Sequence, residues 1–265
     1  MRRSLIRFVP IVIAAVVVLS QFLTSEKFTN EAGRSAHLAL NPQQEQALGL
    51  QSYRQVLNES HTIDRGSDYD MVRDVASRLA KATGQNFDWQ VSLVDSPQVN
   101  AFCLPGGKIV VYTGILPVAR SPSGLATVMG HEMAHATLRH GSERLFQQKA
   151  TQTLMTGVQF SLGDMSYEQQ RAVMGAIGAG AQYGLLLPFS RDHESEADAI
   201  GLRYMARAGY DPHEAITFWQ RMAESSRGQQ PPEFLSTHPS NGTRIARLQE
   251  LLPAALKDYQ QAIQR

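Results

Sequence analysis

The stretch Gly124-Leu125-Ala126-Thr127-Val128-Met129-Gly130-His131-Glu132-Met133-Ala134-His135-Ala136-Thr137-Leu138 decides how the rest of the chain is read. Taken at intervals of three and four it gives Gly124, Val128, His131, His135 and Leu138, so two histidines continue a mostly apolar helical stripe that should face inward. Residues four apart on a helix share a face, and two imidazoles so placed can bind one ion. Zinc takes imidazole nitrogens at about 2.0 to 2.1 Å, and a catalytic zinc keeps three protein ligands and a water. Glu132 is turned about 100° around the helix from His131. It can reach that water rather than the metal, which makes it the candidate general base. The same five residues on an exposed helix would be no more than a solvated face; the inward stripe argues against that.

A third ligand is needed. Glu194 lies on a second stripe with Ala197, Gly201, Met205 and Ala208, and a carboxylate on a buried face requires a partner, which a metal supplies. Asp198, four residues on, is suited to hydrogen-bond the outer nitrogen of a zinc histidine and fix its tautomer. His193 and Glu196 are competing third ligands, but each points away from that stripe. The plainer alternative for Glu194 is a surface pair with a nearby base.

Outward from these helices, Asn41-Pro42-Gln43-Gln44 has the cap, first-turn proline and capping-box glutamine of a helix reaching Asn58. A helix over 69–83 closes at Gly84. Residues 89–94 alternate as a strand, and 99–103 and 108–113 form two more around Leu104-Pro105-Gly106-Gly107, the only sheet-like region expected. From Ser121 the pattern is helical: Ser121-Pro122 opens a helix that ends at Gly141, one over 191–208 is capped by Ser190 and stopped by Gly209, Asp211 caps another, and 243–263 is the last, bent at Pro253. Residues 172–189 carry no charge; Ala176, Gly180 and Gly184 suit a buried, closely approached helix, a second membrane span being the alternative. The expected class is α+β, mainly helical with a small β-sheet.

The chain has 265 residues and a formal net charge of +1 with both signs interspersed, which leaves no footprint for nucleic acid. Residues 1–24, with Arg2, Arg3 and Arg7 before an uncharged apolar run from Phe8, read as an export signal or signal anchor with the remainder across the membrane, periplasmic in a bacterium. Cleavage and retention both stay open. Residues 25–40 read as a linker and 41–265 as the folded domain. The single cysteine, Cys103, forms no internal disulfide and reads as a small packed side chain.

Four blocks, Asn100-Ala101-Phe102 with Pro105-Gly106-Gly107-Lys108-Ile109, Gly130 to His135, Glu194-Ser195-Glu196-Ala197-Asp198, and Thr237-His238-Pro239 followed by Arg244-Ile245, resemble in order the HtpX-, LoiP- and BepA-like zinc metallopeptidases, relatives of the CaaX prenyl proteases. The resemblance runs from Asn41 to the C-terminal helix. It implies a gluzincin fold, one Zn2+ per chain on His131, His135 and Glu194, and cleavage of internal peptide bonds. It also implies that Asn100, Ala101 and Phe102 lie along an edge to which substrate backbone adds as a strand. By analogy His238 and Arg244 fold back over the site, either to bind a developing oxyanion or, for His238, to occupy the open zinc position. The plainer reading is a loop histidine and a helix-start arginine. His140 reads as structural, and His37, His61 and His213 have no functional role. The expected substrates are unfolded or misassembled envelope proteins, a quality-control task. About 20 residues follow Arg244, so no partner-binding repeat array is expected, and the lack of four clear spans argues against a polytopic relative. The rival from another class is a zinc-held chaperone or binding module for extended polypeptide, which has no use for Glu132.

Overall fold

The computed structural model describes residues 7–182, 186–225, 233–238 and 243–264, so Arg2, Arg3, Gly184 and Pro239 lie outside the described residues. In chain order the elements are α1 (Val9–Thr24), β1 (Glu26–Thr29), β2 (Ser35–Leu38), α2 (Pro42–Asn58), β3 (Thr62–Ile63), α3 (Ser67–Thr83), β4 (Gln90–Val94), β5 (Ala101–Leu104) and β6 (Lys108–Tyr112). A 3-10 turn (Thr113–Ile115) leads into α4 (Leu116–Ala119), α5 (Pro122–Thr137), α6 (His140–Ser161), α7 (Tyr167–Ala181), α8 (Leu187–Arg207), α9 (His213–Glu224), α10 (Glu233–Thr237) and α11 (Arg244–Ile263). The chain is thus mainly helical with small sheets. No helix among the described residues is long and apolar enough to cross a membrane.

The residues group into two compact units, one formed by 1–41 and 140–193, the other by 42–139 and 194–265. In the first, α1 packs on α6 where both carry small residues: a Cβ on Gly157 would stand 2.5 Å from the Ala14 methyl. Phe22, His37 and Phe146 cluster at the other end of the pair, with Phe22 and Phe146 edge to face at 4.8 Å. The stretch 25–40, read as a linker, contains the antiparallel hairpin β1–β2, a second sheet that the sequence reading lacks. Four-residue strands are too short for an alternating pattern to stand out. The uncharged 172–189 stretch was expected to be buried, yet no residue of α7 is. Its lack of charge reflects small side chains rather than a core position.

The second unit is built on a four-stranded sheet in the order β3-β4-β6-β5, with β4 parallel to β6 and the other pairs antiparallel. Gly106 and Gly107 have φ of 76° and 85°, and a Cβ on Gly107 would meet the Trp89 ring at 2.8 Å, so the β5–β6 turn requires glycine. Lys108 is buried beside that turn and donates to the carbonyl of Asp88 and, at 3.0 Å, to its carboxylate. On one side of the sheet the core is made by α3, α5 and α9 around Leu79, Leu93, Ile109, Leu125 and Phe218. Helix α5 stops before Gly141, the expected end. Arg139 takes a left-handed φ of 59°, and its buried guanidinium donates to Glu45 at 2.9 Å, so this residue makes the break and His140 starts a new helix. Pro253 lies inside the continuous α11.

Candidate metal centre

Ser121 caps α5 by accepting from the Gly124 N–H at 3.0 Å, with Pro122 in the first turn. Every residue from Gly124 to Ala134 is then buried. Leu125, Val128, Met129 and Met133 are wholly enclosed, and each such side chain contributes about 1.5 to 3 kcal/mol of transfer free energy. Helix α8 meets α5 backbone to backbone: a Cβ on Gly201 would stand 2.8 Å from the His131 nitrogen, and one on Gly130 3.0 Å from the Gly201 carbonyl. That approach brings Asp198 and Glu194, about one and two turns before Gly201, to the histidines.

The Nε2 atoms of His131 and His135 lie 3.1 Å apart. Glu194 Oε2 is 3.3 Å from the first, and its Oε1 is 3.4 Å from the second. His238 Nδ1 adds a fourth side chain, 3.4 Å from His131 Nε2 and 3.1 Å from Glu194 Oε1. A tetrahedral ion with ligands at about 2.0 to 2.1 Å has ligand-to-ligand edges of about 3.3 to 3.4 Å. The separations of 3.1 to 3.4 Å are close to such edges, with the two Glu194 oxygens turned to different imidazoles. The four side chains offer ligand atoms within 4.8 Å of one another, and the donor set of imidazoles and one carboxylate suits zinc.

Behind the cage, Asp198 Oδ1 is 2.9 Å from His131 Nδ1, which directs the other ring nitrogen at the cluster. Arg244, which the resemblance offers as an oxyanion donor, is buried, with Nε donating to Asp198 at 2.7 Å and Nη2 to Glu194 at 2.8 Å. These bonds orient carboxylates. Two buried carboxylates, Glu194 and Asp198, share this one guanidinium, and a third, Glu132, is buried nearby against His238. Burial alone would lower the His131 pKa, but Asp198 and Glu194 outweigh it and hold it up at about 9. Burial would likewise raise Glu194, yet the three imidazoles keep it far below the usual carboxylate range. The site's potential therefore favours a cation.

Glu132 is buried, with Oε1 3.3 Å from His238 Nε2 and a hydrogen bond from the Cys103 backbone N–H. Burial pushes its carboxyl above the ordinary value against the pull of His238 and His131. Cys103 thus contributes backbone, while packing pushes its thiol well up and leaves it a poor nucleophile. Strand β5 is the edge of its sheet: Ala101 and Phe102 pair with Val111 and Val110, and the Asn100 carbonyl accepts from Tyr112 at 3.1 Å. Helix α10, just before His238, donates from the Phe234 N–H to the Val99 carbonyl at 3.3 Å.

The competing ligands do not join the cluster. His193 bonds Glu143 at 2.9 Å and stacks on His140, ring centroids 4.0 Å apart, and Glu196 is only half-buried. His213 bonds Asp211 at the start of α9, His61 is exposed beside Asp95, and His37 packs between Phe22 and Phe146. One residue that sequence reasoning missed is Trp219, whose ring lies 3.9 Å from the Arg244 guanidinium carbon. Its sequence signal is that of any core indole.

The description "Peptidase family M48" matches residues 68–252, and the chain belongs to that family. It is 39% identical over 187 residues to the mitochondrial metalloendopeptidase OMA1 of Schizosaccharomyces pombe, covering 69% of this chain and 53% of the relative. The human mitochondrial metalloendopeptidase OMA1 is 33% identical over 238 residues, 85% of this chain and 45% of the relative. A beta-barrel assembly-enhancing protease of Yersinia pestis is 31% identical over 229 residues, 84% and 47%. The chain spans about half the length of these relatives.

Proposed function

We propose that this family M48 chain is a zinc endopeptidase acting on internal peptide bonds of unfolded or misassembled proteins, with residues 41–265 carrying the activity. The observation that carries the reading is the buried Glu132 beside three imidazoles and a carboxylate whose ligand atoms lie within 4.8 Å of one another. His131, His135 and Glu194 would hold one Zn2+, which supplies Lewis-acid polarisation of a scissile carbonyl and lowers the pKa of water. Glu132 takes the proton of the attacking water and later gives it to the leaving amine. Asp198 keeps His131 in the tautomer that presents Nε2, and Arg244 aligns Glu194 and Asp198. The outer edge of β5 around Asn100, Ala101 and Phe102 receives substrate as an added strand, so recognition is of backbone and tolerates sequence.

His238 closes the cage in this reading and moves aside for substrate; its position against both Glu194 and Glu132 supports that role over oxyanion binding. The chain acts in the cell envelope, on the exported side. The beta-barrel assembly-enhancing relatives support this, as does α1, whose outer face exposes Val12, Val16 and Leu23 while Ala14 is packed. Residues 1–24 serve as signal or anchor.

The test is casein cleavage by the full chain, wild type against Glu132→Gln at equal zinc content. Cleavage should fall by about 100-fold or more in the variant. Equal cleavage would remove Glu132 from the chemistry. If neither cuts with one zinc bound, His238→Ala separates the two remaining cases: restored cleavage means a closed site, and continued inactivity favours the chaperone or binding module.

A further inference from the structure

The mechanism above uses the imidazoles, the carboxylates and Arg244, and leaves Trp219 on α9 unassigned. Its ring touches both halves of the candidate metal centre. The guanidinium carbon of Arg244 lies 3.9 Å from the ring centroid, close enough for a cation to sit on an aromatic face. The His131 ring meets the same indole edge to face, centroids 5.5 Å apart at 73°. Arg244 binds Asp198 and Glu194, and Asp198 contacts His131 Nδ1, so the contacts close a loop from Trp219 through Arg244 and Asp198 to His131 and back. Phe234 packs on the indole at 5.8 Å and also stacks on His238 at 4.7 Å. The indole is buried, so neither its cation nor its imidazole contact is diluted by water.

We infer that Trp219 is a positioning residue for the metal: its ring fixes Arg244, and through it Glu194 and Asp198, while bracing His131. This rests on the ligand assignment proposed above. A merely structural indole would, on removal, lower the melting temperature and leave the zinc affinity of the folded protein unchanged. A positioning indole changes that affinity, because outer partners of metal ligands typically carry about 10- to 100-fold of it.

The measurement is zinc affinity by competition with a chromophoric chelator, on the full chain, for wild type, Trp219→Leu and Trp219→Phe, with the melting temperature of each. Trp219→Leu is expected to bind zinc about 10- to 100-fold more weakly, and Trp219→Phe, which retains an aromatic face, to recover most of the loss. An affinity for Trp219→Leu equal to wild type overturns the inference and leaves the ligand assignment intact. A wild type that binds no zinc overturns both. Should Trp219→Leu not fold, a cycle of Trp219→Met, which fills the space but removes the aromatic face, with Arg244→Gln decides: losses of affinity that fail to add support coupling through the guanidinium, and additive losses overturn it.

Discussion

Two buried clusters in this chain are built from the same residue types, and their charge balance separates them. In the first unit Glu143 takes both nitrogens of the Arg34 fork, at 2.7 Å for Nη2 to Oε2, and a third bond from His193 at 2.9 Å, with His140 stacked beside. One carboxylate meets one guanidinium, and both carboxylate oxygens are occupied by N–H donors. In the second unit Glu194 and Asp198 share Arg244, Glu132 lies against His238 instead, and the Nε2 atoms of His131 and His135 stand 3.1 Å apart. In the balanced cluster the donors meet the carboxylate directly. The second sets imidazole and carboxylate atoms facing one another within 4.8 Å, as a group that could hold an ion, which is what distinguishes a candidate centre from a fastening.

The comparison breaks most clearly under matched substitutions. Glu194→Gln should lose bound zinc and all casein cleavage, while Glu143→Gln should keep one zinc per chain. Glu143→Gln should instead lower the unfolding free energy by about 1 to 3 kcal/mol in urea, because Arg34 and His193 lose a charged acceptor and Arg34 retains some solvent. Zinc content after dialysis is the first readout. A Glu143→Gln protein that emerges without zinc would mean that the balanced cluster is no mere fastening.

A smaller effect is visible in pH. Burial would raise the Glu143 carboxyl, but the bonds from His193 and Arg34 outweigh it and hold its pKa below the ordinary value. The unfolded value is about 4.3, so this contribution is fully present above it and is lost as pH falls through the lower folded value. Urea curves of wild type and Glu143→Gln should therefore differ most near neutrality and draw together in acid. A gap that stays constant down to the lowest pH at which the fold survives would assign the loss to packing.

These two clusters were not equally legible in the sequence. His131, His135, Glu194 and Asp198 fall on helical stripes and Glu132 stands one residue past His131, so spacing alone was enough to nominate them. Arg34, Glu143 and His193 come from a hairpin turn and two separate helices, with Arg34 and Glu143 109 positions apart, and no local pattern joins them. The hairpin itself was hidden by four-residue strands, and α7 was misjudged because glycine and alanine without charge describe a crowded core and a bare surface alike. Gly141 looked like the end of α5 because the buried Arg139–Glu45 pair that sets the break is a long-range contact. Trp219 could not be singled out, since an indole reads as core until Arg244 is found on its face.

The least effect should come from a third charged pair, Arg7 with Asp164, 3.6 Å apart. Their side chains are 44% and 79% exposed, so water screens the attraction and ordering two flexible side chains offsets much of it. Arg7→Ala should change unfolding free energy by less than about 0.5 kcal/mol and leave zinc content untouched. Raising the salt concentration should erase even that difference, whereas the gap for Glu143→Gln should persist, because partly buried pairs are screened much less. An Arg7→Ala loss as large as that of Glu143→Gln would show that burial and charge balance are not what set these pairs apart.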